Sequence, residues 1–539
     1  MAIFINQAGY QPLAKKIAVM TNAGSFQVMR KQGEKDYSVY DGQAQKQGLD
    51  EASKDMVYTA DFSDVKEDGQ YYIKAEDGSV SYTFAIGKYV YKNVHKDLLK
   101  ALYYQRCGCE LKEQYAGVYK HDCCHQDKAV LFEQQDISKN VTGGWHDAGD
   151  YGRYISPAAV AVGHLLYAYE LFPDSFQIEL AIPESKNAIP DVLNECRYEL
   201  EWMLKMQDEE GGAYHKLTAM RHAPFIMPEE DKDQFYLFPV SSMATADYAA
   251  VMALAYRIYK DVDERFAQQL LDAAKRAWSW LKVHPEYIGF YNPDGCNTGE
   301  YDDDCDLDER MWAAAEMRLV LQDASCEAEL ARLLKEDVSV TDFGWTDVSG
   351  FASLCVLTNK DKYAEEIVSK FQKKVLLEAD RLVEVSKKSG YGVAMEAEDY
   401  VWGSNMVVAN RGILLILADY IKKQEDTAQT VYHDVVYNQL HYLLGKNALG
   451  YSYITGHGEH AFLYPHNRPT VADGIEAPMS GFVSGGPFKT PCDIAAKELL
   501  PEGTPPMKCY VDDWRSYSTN EITIYWNTAV IFLTAYLNI

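Results

Sequence analysis

The chain has 539 residues, too many for one small core, and its 47% hydrophobic and 24% charged content is that of an ordinary globular protein. A net charge of −28 repels phosphate backbones and anionic lipid, so nucleic-acid and membrane partners are excluded and a neutral ligand such as a carbohydrate is favoured. The 40 Tyr, 9 Trp and 19 Phe are enough for a core and, in addition, for a cleft that stacks sugar rings. No apolar run reaches the roughly 18 residues of a membrane span. The opening MAIFINQAGYQPLAKK lacks the pattern of an export signal. The protein is therefore expected in the cytoplasm if Met1 is the native start, and outside the cell if a signal peptide was removed. Eleven cysteines, four of them within residues 107–124, suit thiols and a metal better than a disulfide framework.

In chain order, residues 1–88 read as strands. IFINQAGY, KKIAVMT, SFQVMRK, YYIKAED and SVSYTFAIG carry short alternating apolar runs between turn residues. Five to seven strands in that length predict a small β-sandwich. From residue 89 to 539 the period changes to 3.6. About eleven or twelve apolar-faced segments run from VYKNVHKDLLKALYYQR to EITIYWNTAVIFLTAYL, with almost no strand signal. So many helices of similar length, with long loops alternating with short ones and no fixed repeat, fit a toroid of helical hairpins better than a four-helix bundle or a solenoid.

Chemistry is concentrated in the loops. GGWHDAGDYGRY, residues 143–154, places Asp147 and Asp150 three positions apart among four glycines, where both acids can face one water. By itself such a pair also suits a solvated turn or a cation site. In YVDDWRSYSTNEITIYWN, residues 510–527, Glu521 opens an apolar helix with Thr519 or Asn520 as its cap. Its aromatic neighbours Tyr517, Tyr525 and Trp526 would raise a carboxyl toward the range of a general acid. The loop GYSYITGHGEHAFLYPHNRPT, residues 450–470, carries His466 and Arg468, suited to binding hydroxyls or steadying a carboxylate. A water-activating pair, a remote acid and many aromatics point to glycoside hydrolysis.

These blocks resemble glycoside hydrolase family 9, in the subgroup with an N-terminal immunoglobulin-like domain. GGWHDAGDYGRY, ELEWMLKMQDEEGGAYHKLT at 199–218, SYITGHG with PHNRP within 452–469, YVDDWRSYSTNEITIYWNT at 510–528 and INQAGYQP at 5–12 carry the likeness. It implies a multidomain chain, a β-sandwich followed by an all-α (α/α)6 barrel, that cleaves β-1,4-glucan or cello-oligosaccharides with inversion. It also implies Asp150 as general base, Asp147 as its helper, Glu521 as general acid, His466 and Arg468 as sugar-binding residues and Asp512 as a supporting acid. An inverting pair stands roughly 6.5–9.5 Å apart to admit the water. Two positions depart from the pattern, His460 after the second glycine of the signature and Asn467 between His466 and Arg468; both bear on chain-length preference. An exo-acting β-glucosidase or β-glucosaminidase of the same fold is the alternative activity, and a non-catalytic glycan binder has no need of all three acids. The chain ends at Ile539 with no carbohydrate-binding appendage, and soluble cellodextrins are the expected substrate of a cytoplasmic form.

Two metals and no organic cofactor are expected. Cys107, Cys124, His125 and His146 match a tetrahedral zinc site, with Cys109 and Cys123 as competing thiols, and the immunoglobulin-bearing subgroup has a similar set. In EYDDDCDLDERMW, residues 300–312, the acids offer oxygen ligands to calcium, and the family resemblance directs attention to Asp308 and Glu309, with Asp304 and Asp347 added. Trp402 in VWGSN and Trp345 in GWTDV, with Tyr301 and Trp526, are candidates for stacking on a pyranose.

Overall fold

A computed structural model describes residues 3–33, 35–336, 338–425 and 430–538; the outermost residues of the two expected domains, Met1 and Ile539, lie outside the described residues. The chain forms two compact units, one of Met1–Ala101, Ala379–His466 and Glu476–Ile539, the other of Leu102–Glu378 and Asn467–Ile475.

The first unit begins with two four-stranded sheets. One has the order β1 (Ile3–Phe4), β2 (Ile17–Met20), β6 (Met56–Asp61), β5 (Gln45–Leu49). The other runs β4 (Tyr37–Gln43), β3 (Ser25–Arg30), β7 (Gly69–Ala75), β8 (Phe84–Ile86). All neighbours are antiparallel. Val28, Ile73, Phe62 and Phe84 alternate inward with Tyr10 between the faces, so the sheets close on one apolar core. Strands β4, β5 and β6 were not legible in the sequence: YSVYDGQ and QKQGL expose most of their side chains and carry no apolar alternation.

INQAGYQP is spent on docking rather than on the sandwich core alone. Gln7 donates its amide to the Gly450 carbonyl at 2.8 Å and accepts from His460 N–H at 2.8 Å, while Gln7 N–H meets Leu444 O at 2.9 Å. Gln11 donates to Leu537 O at 2.7 Å, and the Tyr10 ring meets His441 edge-on at 4.8 Å. Gly445 keeps φ +118°, and a Cβ there would lie 2.5 Å from the Gln7 amide. His460, an exception to the signature, stacks on Tyr451 at 3.9 Å and on Tyr82 at 5.7 Å, so its ring is used where the sandwich meets the loop.

Among the described residues, twelve helices have ten residues or more: α1 (Lys92–Tyr104), α2 (Ile155–Leu171), α3 (Asp191–Lys205), α4 (Ser242–Tyr259), α5 (Glu264–Val283), α6 (Leu307–Leu321), α7 (Ala324–Leu333), α8 (Ser349–Thr358), α9 (Glu365–Lys388), α10 (Ser404–Glu425), α11 (Val431–Leu443) and α12 (Ile524–Leu537). Helices buried on nearly every side alternate with amphipathic ones. In α4, 15 of 18 residues are buried, and in α5 one face, with Phe266, Leu270, Ala273, Ala277 and Leu281 along it, turns inward. Ser241 and Asp263 cap these two helices through Ala244 N–H and Phe266 N–H.

The second unit also holds a sheet that helical periodicity concealed. Its five short strands run in the order β10 (Gln134–Lys139), β9 (Ala129–Leu131), β13 (Tyr236–Leu237), β12 (Lys216–Thr218), β11 (Arg153–Tyr154). Strands of two or three residues give too little pattern to read, yet this sheet joins GGWHDAGDYGRY to the turn carrying YHK.

Candidate active site

In the second unit, the loop carrying Asp147 and Asp150 is pinned from its own backbone outward. Gln105 donates to the carbonyls of His146 and Ala148 at 3.0 and 2.9 Å, Cys107 N–H meets Gly144 O at 2.8 Å, and Asp147 N–H closes on Gly152 O at 2.9 Å. Trp145 N–H donates to Glu199 at 2.5 Å and its indole N–H to Glu195 at 3.3 Å, both acids on α3. Gly144, at φ +79°, lies against Trp202, where a Cβ would sit 2.7 Å from the ring.

The two aspartates are 1% and 6% exposed but titrate in opposite directions. Burial and the nearby charge of Asp150 hold the Asp147 carboxyl well above its ordinary range, against the opposing hydrogen bond from Tyr301, whose hydroxyl donates to Oδ2 at 2.5 Å. Burial would raise Asp150 too. His222, with Nδ1 2.9 Å from Oδ2, the Arg468 charge and the Gly152 N–H outweigh it and hold Asp150 far below the usual carboxylate range. The surroundings thus favour the neutral form of Asp147 and the ionised form of Asp150, and a carboxylate is the form that can take a proton from water. Trp345 meets Tyr301 edge-on at 4.9 Å, so those two aromatics share one place beside Asp147.

Arg468 fits the second of the two roles read for it, steadying a carboxylate, since its charge favours ionised Asp150. It is 5% exposed, donating Nη1 to Gly149 O and Nε to Ala223 O, each at 2.7 Å, over the Phe225 ring. Asn467 caps the short helix Arg468–Ala472 through Thr470 N–H. His222 was missed because a lone His in KLTAMRHAPF has no spacing signal; only its return beside Asp150 marks it.

Replacing His222 by Ala moves the acid limb of kcat/KM to higher pH and leaves the alkaline limb in place. The sign follows from Asp150. Its folded pKa lies below the unfolded value of about 3.9, so its ionised state favours folding above that value and is lost only as pH falls through the folded pKa. Without His222 the folded pKa rises, and protonation of the base begins earlier. A pH–rate profile on cellotetraose checks this.

In the first unit, Glu521 does not open the last helix. Thr523 caps α12 by accepting from Trp526 N–H, and Glu521 sits in extended conformation just after the short helix Tyr517–Asn520. Its backbone is fixed by Gly485 N–H at 2.8 Å and by a parallel bridge to His466, whose N–H meets Asn520 O at 2.9 Å. His466 Nδ1 donates to Trp514 O at 2.7 Å, which fixes the ring's tautomer. Asp512 accepts from Leu463 N–H, Tyr464 N–H and Asn520 Nδ2 at 2.8, 2.9 and 3.1 Å, so it shapes the turn before His466. Trp402 is 43% exposed, and its ring lies tilted by 39° to that of Tyr517 with centroids 5.4 Å apart. Trp526 corrects its sequence reading: it is 3% exposed, with Gly403 and Gly485 pressed against the ring, and serves packing.

Two groups of metal-ligating side chains occur among the described residues. Ligand atoms of Cys107, Cys124, His125 and His146 all lie within 4.8 Å of one another, and neither competing thiol joins them: Cys123 is exposed and Cys109 stands outside the group. His125 turns Nδ1 toward Cys107 Sγ at 3.5 Å and His146 Nε2 at 3.4 Å, while Asp231 holds Nε2 at 3.3 Å. Two sulfurs and two imidazoles with a carboxylate behind one ring fit a tetrahedral ion. The second group is Asp303, Asp308 and Glu309. Here Asp303 takes the place expected for Asp304, which is exposed. Asp347 is engaged at the start of α8, accepting from Ser349 N–H and Oγ, and Asp308 accepts from Val348 N–H at 2.8 Å. Both Glu309 oxygens, one Asp303 oxygen and both oxygens of neighbouring Asp247 are buried with no hydrogen-bond partner. So many unpaired oxygens suit a hard cation.

A β-sandwich followed by a mainly helical region whose loops hold a pair of buried aspartates and a separate, partly buried Glu is the layout of a glycoside hydrolase. The chain belongs to glycosyl hydrolase family 9: that family's model matches residues 91–534, and the model for the cellulase N-terminal ig-like domain matches residues 1–79. Its fold class is the immunoglobulin-like sandwich followed by the (α/α)6 domain of that family. The chain is 41% identical over 548 aligned positions to a cellodextrinase of Butyrivibrio fibrisolvens, covering 98% of each. A solved single-mutant thermostable endoglucanase of Alicyclobacillus acidocaldarius has a TM-score of 0.92 at 33% identity, over 100% of this chain and 99% of that one. A Zn-binding triple mutant of the family 9 endoglucanase J30 also reaches 0.92, at 32% identity over 98% and 99%.

Proposed function

We propose that the protein hydrolyses β-1,4-glucosidic bonds in cello-oligosaccharides with inversion, Asp150 acting as base on the attacking water and Glu521 as acid on the leaving oxygen. The aspartate pair carries this reading: Asp150 Oδ2 faces His222 Nδ1 at 2.9 Å, Asp147 Oδ2 accepts from the Tyr301 hydroxyl at 2.5 Å, and their surroundings shift the two carboxyls in opposite directions. Asp147, with Tyr301, orients the water. His466 and Trp402 bind the sugar beside Glu521. The 41% identity to a cellodextrinase over nearly the whole chain supports short soluble substrates. Product analysis on a cellodextrin ladder, with mixed-linkage glucan and chitosan oligomers alongside, is expected to give short glucans of α configuration from the cellodextrins. Release of β product would overturn inversion, and cleavage of chitosan oligomers alone would overturn the substrate.

Zinc is proposed for Cys107, Cys124, His125 and His146, where it would clamp the backbone one residue before Asp147. Calcium is proposed for Asp303, Asp308 and Glu309, at the start of α6. Both are structural in this reading.

A further inference from the structure

Lys216 is fully buried in an aromatic box, its Nζ 4.6 Å from the Phe238 ring centroid, 5.4 Å from Phe290 and 5.9 Å from Tyr154. A buried ammonium requires partners for its three N–H groups. Lys216 finds all of them in one loop, donating to Asn292 Oδ1 at 2.6 Å, Thr298 Oγ1 at 3.0 Å and Gly299 O at 2.8 Å. Its own backbone pairs across β12 and β11 with Tyr154, the last residue of GGWHDAGDYGRY. One side chain therefore ties the strand leaving the aspartate loop to a second loop some eighty residues away in sequence.

That second loop ends on Tyr301. His215, the residue before Lys216, holds Glu300 O through Nε2 at 2.8 Å. Tyr301 then adopts φ +51°, a left-handed conformation unfavourable for a bulky L-residue, and from it reaches Asp147 Oδ2. Such a conformation persists only where its surroundings impose it. Asn292 adds to the constraint, donating Nδ2 to Thr298 O at 2.8 Å and its N–H to Glu300 at 2.6 Å, so the loop held by Lys216 is braced internally up to the residue before Tyr301.

We propose that Lys216 is a positioning residue for hydrolysis: its ammonium locks loop 292–300 so that Tyr301 is held in the left-handed region with its hydroxyl on Asp147. The proposal rests on the reading of Asp147 and Asp150 as the water-activating pair. Lys216 touches neither substrate nor water in this role, and its effect passes through Tyr301.

The test is a double-mutant cycle on cellopentaose hydrolysis with Lys216→Met, Tyr301→Phe and the combined variant. Met keeps most of the volume of the box and removes the ammonium. Each single variant is expected to lower kcat about 10–100-fold, the range for loss of a group that orients a reacting one, with KM changed less than about threefold. The combined variant is expected to fall no further than the worse single one, since both break the same chain of contacts. Multiplying losses, a loss confined to KM, or an unchanged kcat in folded Lys216→Met would overturn the proposal. If Lys216→Met does not fold, Thr298→Val combined with Asn292→Ala removes two of the three Lys216 bonds from the loop side and enters the cycle in its place. Asp150→Asn separates the two levels. If it were as active as wild type, the reading of the pair would fall and the proposal with it. An inert Asp150→Asn beside a fully active Lys216→Met overturns the proposal alone.

Discussion

Asp150→Asn lowers kcat on cellopentaose by about 10³-fold or more with little change in KM, because a group that takes a proton only in the transition state contributes to kcat and not to ground-state binding. The same variant is equally inert on 2,4-dinitrophenyl cellobioside, since water must be activated whatever the leaving group. Glu521→Gln behaves differently. It loses a comparable factor on cellopentaose, whose leaving oxygen needs a proton, but keeps most of its activity on the dinitrophenyl substrate, whose leaving group departs as a stable anion. The contrast assigns base and acid without reference to the relative placement of the two side chains. Equal losses for Glu521→Gln on both substrates would refute its role as the acid, and an active Asp150→Asn would refute the base.

Removal of the zinc proposed for Cys107, Cys124, His125 and His146 is the second large effect. Purified protein is expected to carry one zinc per chain, and Cys124→Ser to lose it. The variant leaves a buried thiol and two buried imidazoles without their shared ion, in a loop whose His125 already sits at φ +45°. Loss of a structural metal belongs to the few single changes worth several kcal/mol, which corresponds here to a fall in apparent Tm on the order of 10 °C. Activity falls with it, because His146 precedes Asp147. Stripping wild-type protein with a strong chelator and adding back zinc restores both properties. Calcium alone does not, since thiolates and imidazoles select softer ions. Protein that binds no zinc yet melts and turns over normally would refute the assignment.

Legibility of the sequence followed the type of signal. Helices α1 to α6 and α8 to α12 show because burial of one stripe or of every side imposes a 3.6 period, and the blocks around Asp147, Asp150, His466 and Glu521 show because each needs several uncommon residues at fixed offsets. Strands β4 to β6 and the five-stranded sheet are hidden by exposed or very short segments. Side chains that act through others are hidden for a different reason. Gln105, His222 and Lys216 gain their roles from partners 40 to 80 residues away, and no local pattern encodes such a pairing. The error over Trp526 has the same origin, since whether an aromatic stacks on sugar or on Gly403 and Gly485 depends on chain that arrives from elsewhere.

Gln7 and Gln11 have a consequence for the order of events on the ribosome. Their partners, Leu444, Gly450, His460 and Leu537, are synthesised more than 430 residues after them. At roughly 5–20 residues per second the N-terminal segment waits tens of seconds or longer for the surface it docks against. The sandwich can form its own core early, but its seating is among the last steps, completed only when the final helix has left the exit tunnel. A chain stalled before Leu537 thus carries a β-domain whose Gln11 contact has not yet been made.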